Sequence, residues 1–213
     1  MTTKKIQKRG RPRGFDLSNA IAVAIDLFHR KGYDGVGVAE LSKSIGITAP
    51  SLYSAFGNKR SLFEEALKRY VQENGCRLSA VLASEGALDA VITHLFVRAA
   101  EVYTDDAEHC GCLVMDATRN CGDDGAKALT ERFQQVTRQL ICDRIIEGEP
   151  ALSVAKAALL ADYAMTILVG LSGRARDGQS RASLVESANI AAAGFSQRLQ
   201  QYREEKAESD SCD

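Results

Sequence analysis

Apolar residues recur at intervals of three and four through most of this chain, which is the spacing that places them on one face of an α-helix. The first run lies between the capping candidates Asp16 or Ser18 and Gly32, and its apolar residues are Ile21, Ala24, Ile25, Leu27 and Phe28. The chain has 3 Pro and no Trp and is rich in Ala, Leu, Glu, Lys and Arg, a composition that favours helix over sheet. Together these features predict an all-α fold.

Two short helices follow the first run. The pattern predicts one from Val38 to Ile45 and another from Thr48 to Phe56, with Gly46 supplying the tight turn between them. Thr48 can cap the second helix, and Pro50 falls in its first turn, where a missing N–H costs nothing. Such a pair is typical of the helix-turn-helix, whose second helix enters the DNA major groove, although short helical hairpins also occur in other folds.

The apolar pattern in the remainder of the chain predicts longer helices. One starts near Lys59 and reaches the low eighties, and others cover roughly 87–103, 125–147, 152–174 and 181–203. The last two are rich in small residues, namely Ala155, Ala157, Ala158, Ala161, Ala164 and Gly170 in the first and Ala188, Ala191, Ala192, Ala193 and Gly194 in the second. Small side chains let helices pack closely, which predicts a four-helix interface between two copies of the chain, with packing inside one copy as the alternative. Residues 204–213 are polar and acidic and are predicted to be disordered.

Charge is unevenly distributed along the chain. Residues 1–70 hold 13 Lys and Arg against 6 Asp and Glu, a net charge of +7, whereas the remainder has a net charge of −8. A basic first third predicts a module that faces a polyanion. Residues 1–13 carry six basic residues and are predicted to form a flexible arm, which either only solubilises the chain or places Arg11 and Arg13 on DNA phosphates or in the minor groove.

Two features of the sequence bear on the cellular compartment, namely the N-terminus and the longest apolar stretch. The N-terminus lacks the apolar segment of a secretory signal. The stretch 157–173 is shorter than a membrane helix requires and contains Asp162. We therefore expect a cytoplasmic protein without a membrane partner, in which the six cysteines do not form a disulfide framework.

A set of residues along the first third carries a family resemblance. In chain order they are Ala20-Ile21, Leu27-Phe28, Gly32-Tyr33, Leu41-Ser42, Gly46-Ile47, Ser51-Leu52-Tyr53 and Phe56-Gly57-Asn58-Lys59-Arg60-Ser61-Leu62-Phe63. Over about residues 14–75 this set resembles the DNA-binding domain of the TetR family, and the SLYxxFxxKxxLF run is specific to that family. A Gly-Cys-Leu element at 111–113 also occurs in relatives.

The resemblance implies a DNA-binding surface at the start of the second short helix. Recognition helices place their first turns against base edges. The DNA-facing residues would be Arg11, Arg13, Gly37, Thr48, Ala49, Pro50, Ser51, Tyr53, Ser54 and Lys59. Tyr53 and Lys59 would contact phosphates, with a bracing ring and a solvated lysine as the alternatives. Family members have Ser or Thr where this chain has Val36 and Gly37, so one hydroxyl cap and its phosphate contact are missing.

Candidates for signal detection lie in the middle of the chain. They are His109, Cys110, Cys112, Asp116, Cys121 and Tyr163, with Arg119 beside them. Three thiols and one imidazole within thirteen residues are compatible with simple packing, with thiol sensing or with a soft-metal site. We predict neither a metal nor a cofactor. The catalytic motifs GxSxG and HExxH and Gly-rich phosphate loops are absent from the sequence.

Taken together, the features predict four regions. These are a basic arm (1–13), a helix-turn-helix domain (14–75), a helical ligand-sensing and dimerisation domain (76–203) and an acidic tail (204–213). The predicted function is that of a homodimeric repressor, released from a palindromic DNA operator by an unknown small-molecule inducer or a thiol-reactive signal. The alternatives are a small helical enzyme or carrier with a solubilising tail, and a DNA-organising protein without sequence preference.

Overall fold

The computed structural model describes residues 16–210, including their side chains except for those of residues 75–77 and 209–210. Within this range the chain forms ten α-helices and one π-helical segment, and no strand is present. The all-α prediction is confirmed. The predicted arm, with Arg11 and Arg13, lies outside the described residues.

The first three helices form a compact unit with the start of the fourth. Helix α1 spans Leu17–Lys31, α2 Val38–Ile45 and α3 Ala49–Phe56. Asp16 caps α1 by accepting a hydrogen bond from the backbone of Ser18, and Gly46 ends α2 in the left-handed conformation at φ 79°. Phe28, Leu41, Leu52 and Phe63 are fully buried between these helices. The helix-turn-helix prediction is therefore confirmed.

A long helical segment leads from this unit into the rest of the chain. Helix α4 (Lys59–Tyr70) continues through the π-helical segment Val71–Gly75 into α5 (Cys76–Leu82). The prediction of helix up to the low eighties is thus confirmed, and the π-helical segment lies where the sequence places the boundary between the two domains. π-Helical turns are rare and occur frequently at functional sites.

Five further helices complete the body. They are α6 (Leu88–Val102), the short α7 (Leu113–Asp116), α8 (Asp124–Gly148), α9 (Val154–Arg176) and α10 (Arg181–Asp210). Helix α10 packs along α6 and α9, and α8 packs along α9. Helix α9 has the length and hydropathy that a membrane span would need. Ala157, Leu160 and Ala164 are nevertheless buried against the body, as in a core helix.

The small residues of α9 and α10 divide into two groups. Ala161 and Ala192 are buried and pack inside one copy, whereas Ala155, Gly170, Ala193 and Gly194 are exposed, so the four-helix interface between two copies stays a prediction. The predicted disorder of the C-terminal tail requires correction. Helix α10 extends to Asp210, whereas the sequence predicts disorder from residue 204. Its last turns are anchored because Glu205 forms a 2.6 Å ion pair with Lys156 of α9 and Arg203 pairs with Glu149.

Candidate DNA interface and signal-sensing region

The first turn of α3 is an open surface. Thr48 caps this helix by accepting a hydrogen bond from the Ser51 N–H at 3.4 Å, and the two hydroxyl oxygens lie 2.9 Å apart. Thr48, Pro50, Ser51, Tyr53 and Ser54 are exposed and Ala49 is half-buried. Leu52 on the opposite face is fully buried. The sequence-predicted contacts therefore share one exposed face, with small side chains that permit close approach to a groove.

The start of α2 is where the chain departs from the family pattern, at Val36 and Gly37. Val36 is fully buried and belongs to the core, so the side chain at that position packs the domain. Gly37 is the N-cap of α2 at φ −88° and makes no side-chain cap. A Cβ placed on Gly37 would meet nothing within 4 Å, so a side chain would fit at this position.

The Lys59 side chain is half-buried and lies against the turn that follows α1. Its Nζ lies 4.0 Å from the centroid of the Tyr33 ring, a distance at which a cation interacts with the aromatic face. Burial lowers the pKa of Lys59, and the negative charge of Asp34 opposes this only in part. Asn58 caps α4 by accepting a hydrogen bond from the Ser61 N–H at 2.9 Å. Lys59 therefore opens α4 against the turn that follows α1.

That same turn is tied to the segment preceding α8. Asp34 accepts a hydrogen bond from the Gly122 N–H at 2.7 Å and a longer one, 3.3 Å, from the Cys121 thiol. The Tyr33 hydroxyl donates to Asp123 at 3.1 Å, and Asp123 also forms a 2.9 Å ion pair with Arg60. These contacts give the body a direct connection to the helix-turn-helix unit, in addition to α4.

A second connection is built around Gly111. Its backbone lies at φ +83°, and a Cβ there would approach the Asp116 carboxylate to 2.8 Å, so only glycine fits. The Gly111 carbonyl is 3.3 Å from the His29 ring of α1. Asp116 itself is buried and accepts a hydrogen bond from the Ser172 hydroxyl and a 3.0 Å hydrogen bond from Arg119. The Gly-Cys-Leu element thus holds α7 against α1 and α9.

The structure does not bring the predicted cysteine cluster together. The Cys110 thiol lies 3.4 Å from the Asp106 carbonyl, Cys112 is buried in the core, and Cys121 faces Asp34. All three are free thiols, and both ring nitrogens of His109 are occupied by carboxylates. Among the side chains described, no group of three His, Cys, Asp or Glu is arranged to hold a metal. In this structure the described part of the segment therefore does not bring the ligands of a soft-metal site together.

A cavity of about 300 Å³ lies between α4, the π-helical segment and helices α5 to α9. Its wall is mainly apolar, and Tyr70, Tyr103 and Cys112 are among its lining residues. Neither tyrosine is among the residues predicted from the sequence. A usable signal was present, because Tyr103 continues an apolar helical stripe and a buried phenol requires a hydrogen-bond partner.

Tyr163 does not line this cavity. Its hydroxyl donates to the Ala191 carbonyl at 2.9 Å, and its ring is partly exposed on the outer side of α9 and α10. Asp116 and Cys121 instead line a separate, more polar cavity of about 260 Å³ beside the turn after α1. His109 lines a third cavity, of about 450 Å³, next to His29 and Asp26.

Comparison with known proteins decides the family. Residues 20–66 match the family described as bacterial regulatory proteins, tetR family. Over 191 residues the chain is 32% identical to the HTH-type transcriptional repressor BdcR of Escherichia coli K12, covering 90% of this chain and 94% of that protein. The chain belongs to the TetR family.

Other TetR-family relatives agree with this assignment. The HTH-type transcriptional repressor ComR of Escherichia coli K12 is 31% identical over 197 residues, covering 88% of this chain and 92% of ComR. A cysteine mutant of the regulator CifR, solved with a 26-bp double-strand operator DNA, superposes with a TM-score of 0.78 at 31% identity. That match covers 86% of this chain and 98% of the CifR chain. The protein is accordingly a transcriptional regulator and not an enzyme.

Proposed function

We propose that this TetR-family protein is a repressor that binds a palindromic operator as a homodimer and leaves it when an effector reaches the C-terminal body. The observation that carries the proposal is the exposed first turn of α3, where Thr48, Ser51 and Tyr53 present polar groups on one face. A face of this kind suits major-groove entry, with hydroxyls available to phosphates.

Dimerisation is supported by an apolar surface on the outer side of α9 and α10. Leu159 and Ile190 are 61% and 66% exposed, and Tyr163 lies beside them at 36%. The surface is continued by the small exposed residues Ala155, Gly170, Ala193 and Gly194. Two copies that share this face around a two-fold axis would bury it and would place two copies of α3 on successive turns of one DNA face.

The signal that releases the repressor is proposed to be a small molecule and not a thiol reagent. Burial raises the pKa of both Cys112 and Cys121, which lowers the fraction of reactive thiolate at each. His109 is paired with Asp106 and Asp26, so its charge is already compensated and does little to activate neighbouring Cys110. The cavity lined by Tyr70 and Tyr103, by contrast, is of ligand size.

The test of DNA binding is a gel shift against genomic fragments followed by footprinting at the bound fragment. We expect one discrete palindromic site with half-sites about one or more helical turns apart. Length-dependent smearing would instead support DNA organisation without sequence preference. Removing residues 1–13 should flatten the dependence of affinity on salt, because fewer counterions would be released. An unchanged salt slope would mean that the arm does not contact phosphate.

A further inference from the structure

The last residue of α9 is joined directly to α1 by its side chain. Arg176 donates a hydrogen bond through Nη2 to the backbone carbonyl of His29, in the last turn of α1. The Arg176 side chain is only 28% exposed. Helix α9 also carries Leu159 and Tyr163 of the apolar surface through which two copies are proposed to meet. Arg176 therefore links the proposed dimer helix to the helix-turn-helix unit by a route that does not pass through α4.

The second partner of Arg176 is a buried carboxylate of the body. Its Nε lies 3.7 Å from Oδ2 of Asp116, which is an ion-pair distance but too long for a hydrogen bond. Asp116 has other partners, because it accepts hydrogen bonds from the Ser172 hydroxyl and, at 3.0 Å through Oδ1, from Arg119. The planar guanidinium of Arg176 thus lies between two acceptors, one on α1 and one on α7.

One polar atom of this link is unsatisfied. Nε of Arg176 is buried and, within the described part of the chain, makes no hydrogen bond. Native structures generally satisfy such groups, because a buried donor without an acceptor is costly. Here Asp116 is close enough to accept after a small movement, yet Nη2 is engaged on the His29 carbonyl instead. Arg176 therefore holds α1 while leaving a hydrogen bond inside the body unmade.

A contact made at His29 acts on the whole helix-turn-helix unit. Phe28, the preceding residue, is fully buried, and its ring packs against that of Phe63 of α4 with centroids 4.9 Å apart. Leu52 of α3 is fully buried in the same core. Packed interiors transmit displacements because they contain few voids. A displacement of α1 at His29 therefore also moves α3, the helix with the predicted DNA contacts.

We propose that Arg176 is a positioning residue for operator recognition. By holding the His29 carbonyl from the end of α9, it fixes the orientation of the helix-turn-helix unit on the body, and with it the half-site spacing that a dimer accepts. The spacing part of this proposal rests on the proposed function. Arg176 does not contact DNA in this role, because it acts through α1. A two-fold axis repeats any change at Arg176 in both copies, so half-site spacing reports such a change sensitively.

Two variants of Arg176 remove the contact with α1 in different ways. The lysine side chain ends one bond short of Nη2, so Arg176→Lys keeps a cation beside Asp116 but does not reach the His29 carbonyl. Arg176→Met removes the donor and the charge together. The control for the first is Arg174→Lys, on the same helix, where Arg174 is 61% exposed and pairs with Asp177. The control for the second is Arg119→Met, because Arg119 is the other arginine paired with Asp116.

The orientation of the unit is measured on the full-length protein without DNA. Nitroxide labels are attached to p-acetylphenylalanine at Ser44 of α2 and Gln139 of α8, which are both exposed, so the native cysteines are left unlabelled. Dilution with excess unlabelled protein keeps the two labels of a measured pair in one copy. Pulsed electron resonance should give one narrow distance in wild type and both controls. In Arg176→Lys and Arg176→Met the distribution should be at least about twice as wide, because several orientations become populated.

Operator spacing supplies a readout that a general loss of stability does not change. One base pair added at the centre of the footprinted operator moves the half-sites apart by about 3.4 Å and rotates one against the other by about 35°. Wild type and both controls should lose at least about tenfold in affinity, whereas the two Arg176 variants should lose about threefold or less.

The outcomes separate this proposal from the proposed function. Distance distributions of equal width in wild type and both Arg176 variants would overturn the positioning role, and so would equal discrimination between the two operators. A wild-type protein that binds no discrete operator would instead overturn the proposed function. In that case the distance measurement, which uses no DNA, would still decide whether Arg176 fixes the orientation of the helix-turn-helix unit.

Discussion

The Nε2 atom of His109 lies 2.7 Å from Oδ1 of Asp26, which joins the loop before α7 to helix α1. The other ring nitrogen lies 2.7 Å from Asp106. A neutral imidazole can donate through only one nitrogen, so a ring placed between two carboxylates is best satisfied when it is protonated. This pairing is a charged contact between the helix-turn-helix unit and the body, and its strength depends on pH.

The first prediction concerns that dependence. Partial burial lowers the pKa of His109, but Asp106 and Asp26 outweigh it, and the net pKa lies above the usual 6.5. A raised folded-state pKa stabilises the fold fully below the unfolded value, and the stabilisation is lost as pH rises through the folded pKa. In urea unfolding, His109→Gln should therefore cost more stability at about pH 5.5 than at about pH 8.5.

The contribution of His29 to stability depends on pH with the opposite sign, and it must be separated from that of His109. Burial, followed by the charge of Arg176, lowers the pKa of His29 to about 4. Its contribution is present above the unfolded value of 6.5 and is lost as pH falls towards 4. Because His29 is present in both proteins, subtracting the variant from wild type at each pH cancels the His29 contribution except for the part that the charge of His109 itself causes. An equal difference at both pH values would contradict the prediction.

The second prediction concerns the missing cap of α2. Gly37→Ser should stabilise the fold by roughly a few tenths of a kcal/mol and strengthen operator binding, because serine caps the helix and adds a hydroxyl near phosphate. Gly46→Ser is the matched control. A Cβ at either glycine meets nothing within 4 Å, but Gly46 lies at φ +79°. Gly46→Ser should thus cost about 1–2 kcal/mol in thermal or urea unfolding. Similar effects at both positions would argue against capping.

Helices α2 and α3 could be predicted from the sequence because Gly46, Thr48 and Pro50 set the local backbone conformation at the helix ends where they lie. The cysteine segment was not predictable in the same way. Cys110 and Cys112 are two residues apart, yet Gly111 turns the chain sharply so that one thiol remains near the surface and the other enters the core. The small residues of α9 were ambiguous in the sequence, because helical spacing identifies an apolar face but cannot say whether α6, α8 or a second copy covers it.

The third prediction ranks the thiols. Cys110 is half-buried, whereas Cys112 and Cys121 are buried and have a raised pKa. Of these three thiols, iodoacetamide should therefore modify Cys110 first, as followed by mass spectrometry. Operator affinity should be unchanged at that stage in wild type and in Cys110→Ser. Release from DNA on modification that is lost in Cys110→Ser, Cys112→Ser or Cys121→Ser would instead identify a thiol-based signal.

The fourth prediction concerns phosphate contacts. Tyr53→Phe and Lys59→Ala should each weaken operator binding by about 1–3 kcal/mol, as expected for the loss of a hydrogen bond to a charged group. Lys59→Ala should also reduce the slope of log affinity against log salt concentration by about one, as expected for one lost phosphate contact. Lys68→Ala removes the same charge farther along α4, where it pairs with Glu64 and Glu65, and should leave affinity and slope unchanged. Equal effects of the two lysine variants would indicate only a loss of net charge.

The fifth prediction concerns assembly. The wild-type chain should elute at about twice the 23.0 kDa of one copy. Leu159→Glu and Ile190→Glu place a charge on the exposed apolar surface of α9 and α10, and each should give folded monomers that lose tight operator binding. A monomer binds only one half-site, so its affinity falls steeply. Size-exclusion chromatography with circular dichroism distinguishes a folded monomer from an unfolded chain.

Two further variants make this test specific to one surface. Val154→Glu alters a residue that is 70% exposed on α9 but lies five residues, about 140° around the helix, from Leu159, so the dimer should persist. Ala161→Glu introduces a charge at a fully buried position and should unfold the body instead of merely separating the copies. If Val154→Glu gave monomers and Leu159→Glu did not, the two copies would meet through a different face of α9. A wild-type monomer at micromolar concentration would remove the dimeric repressor altogether, since α3 of one copy covers only half of a palindrome.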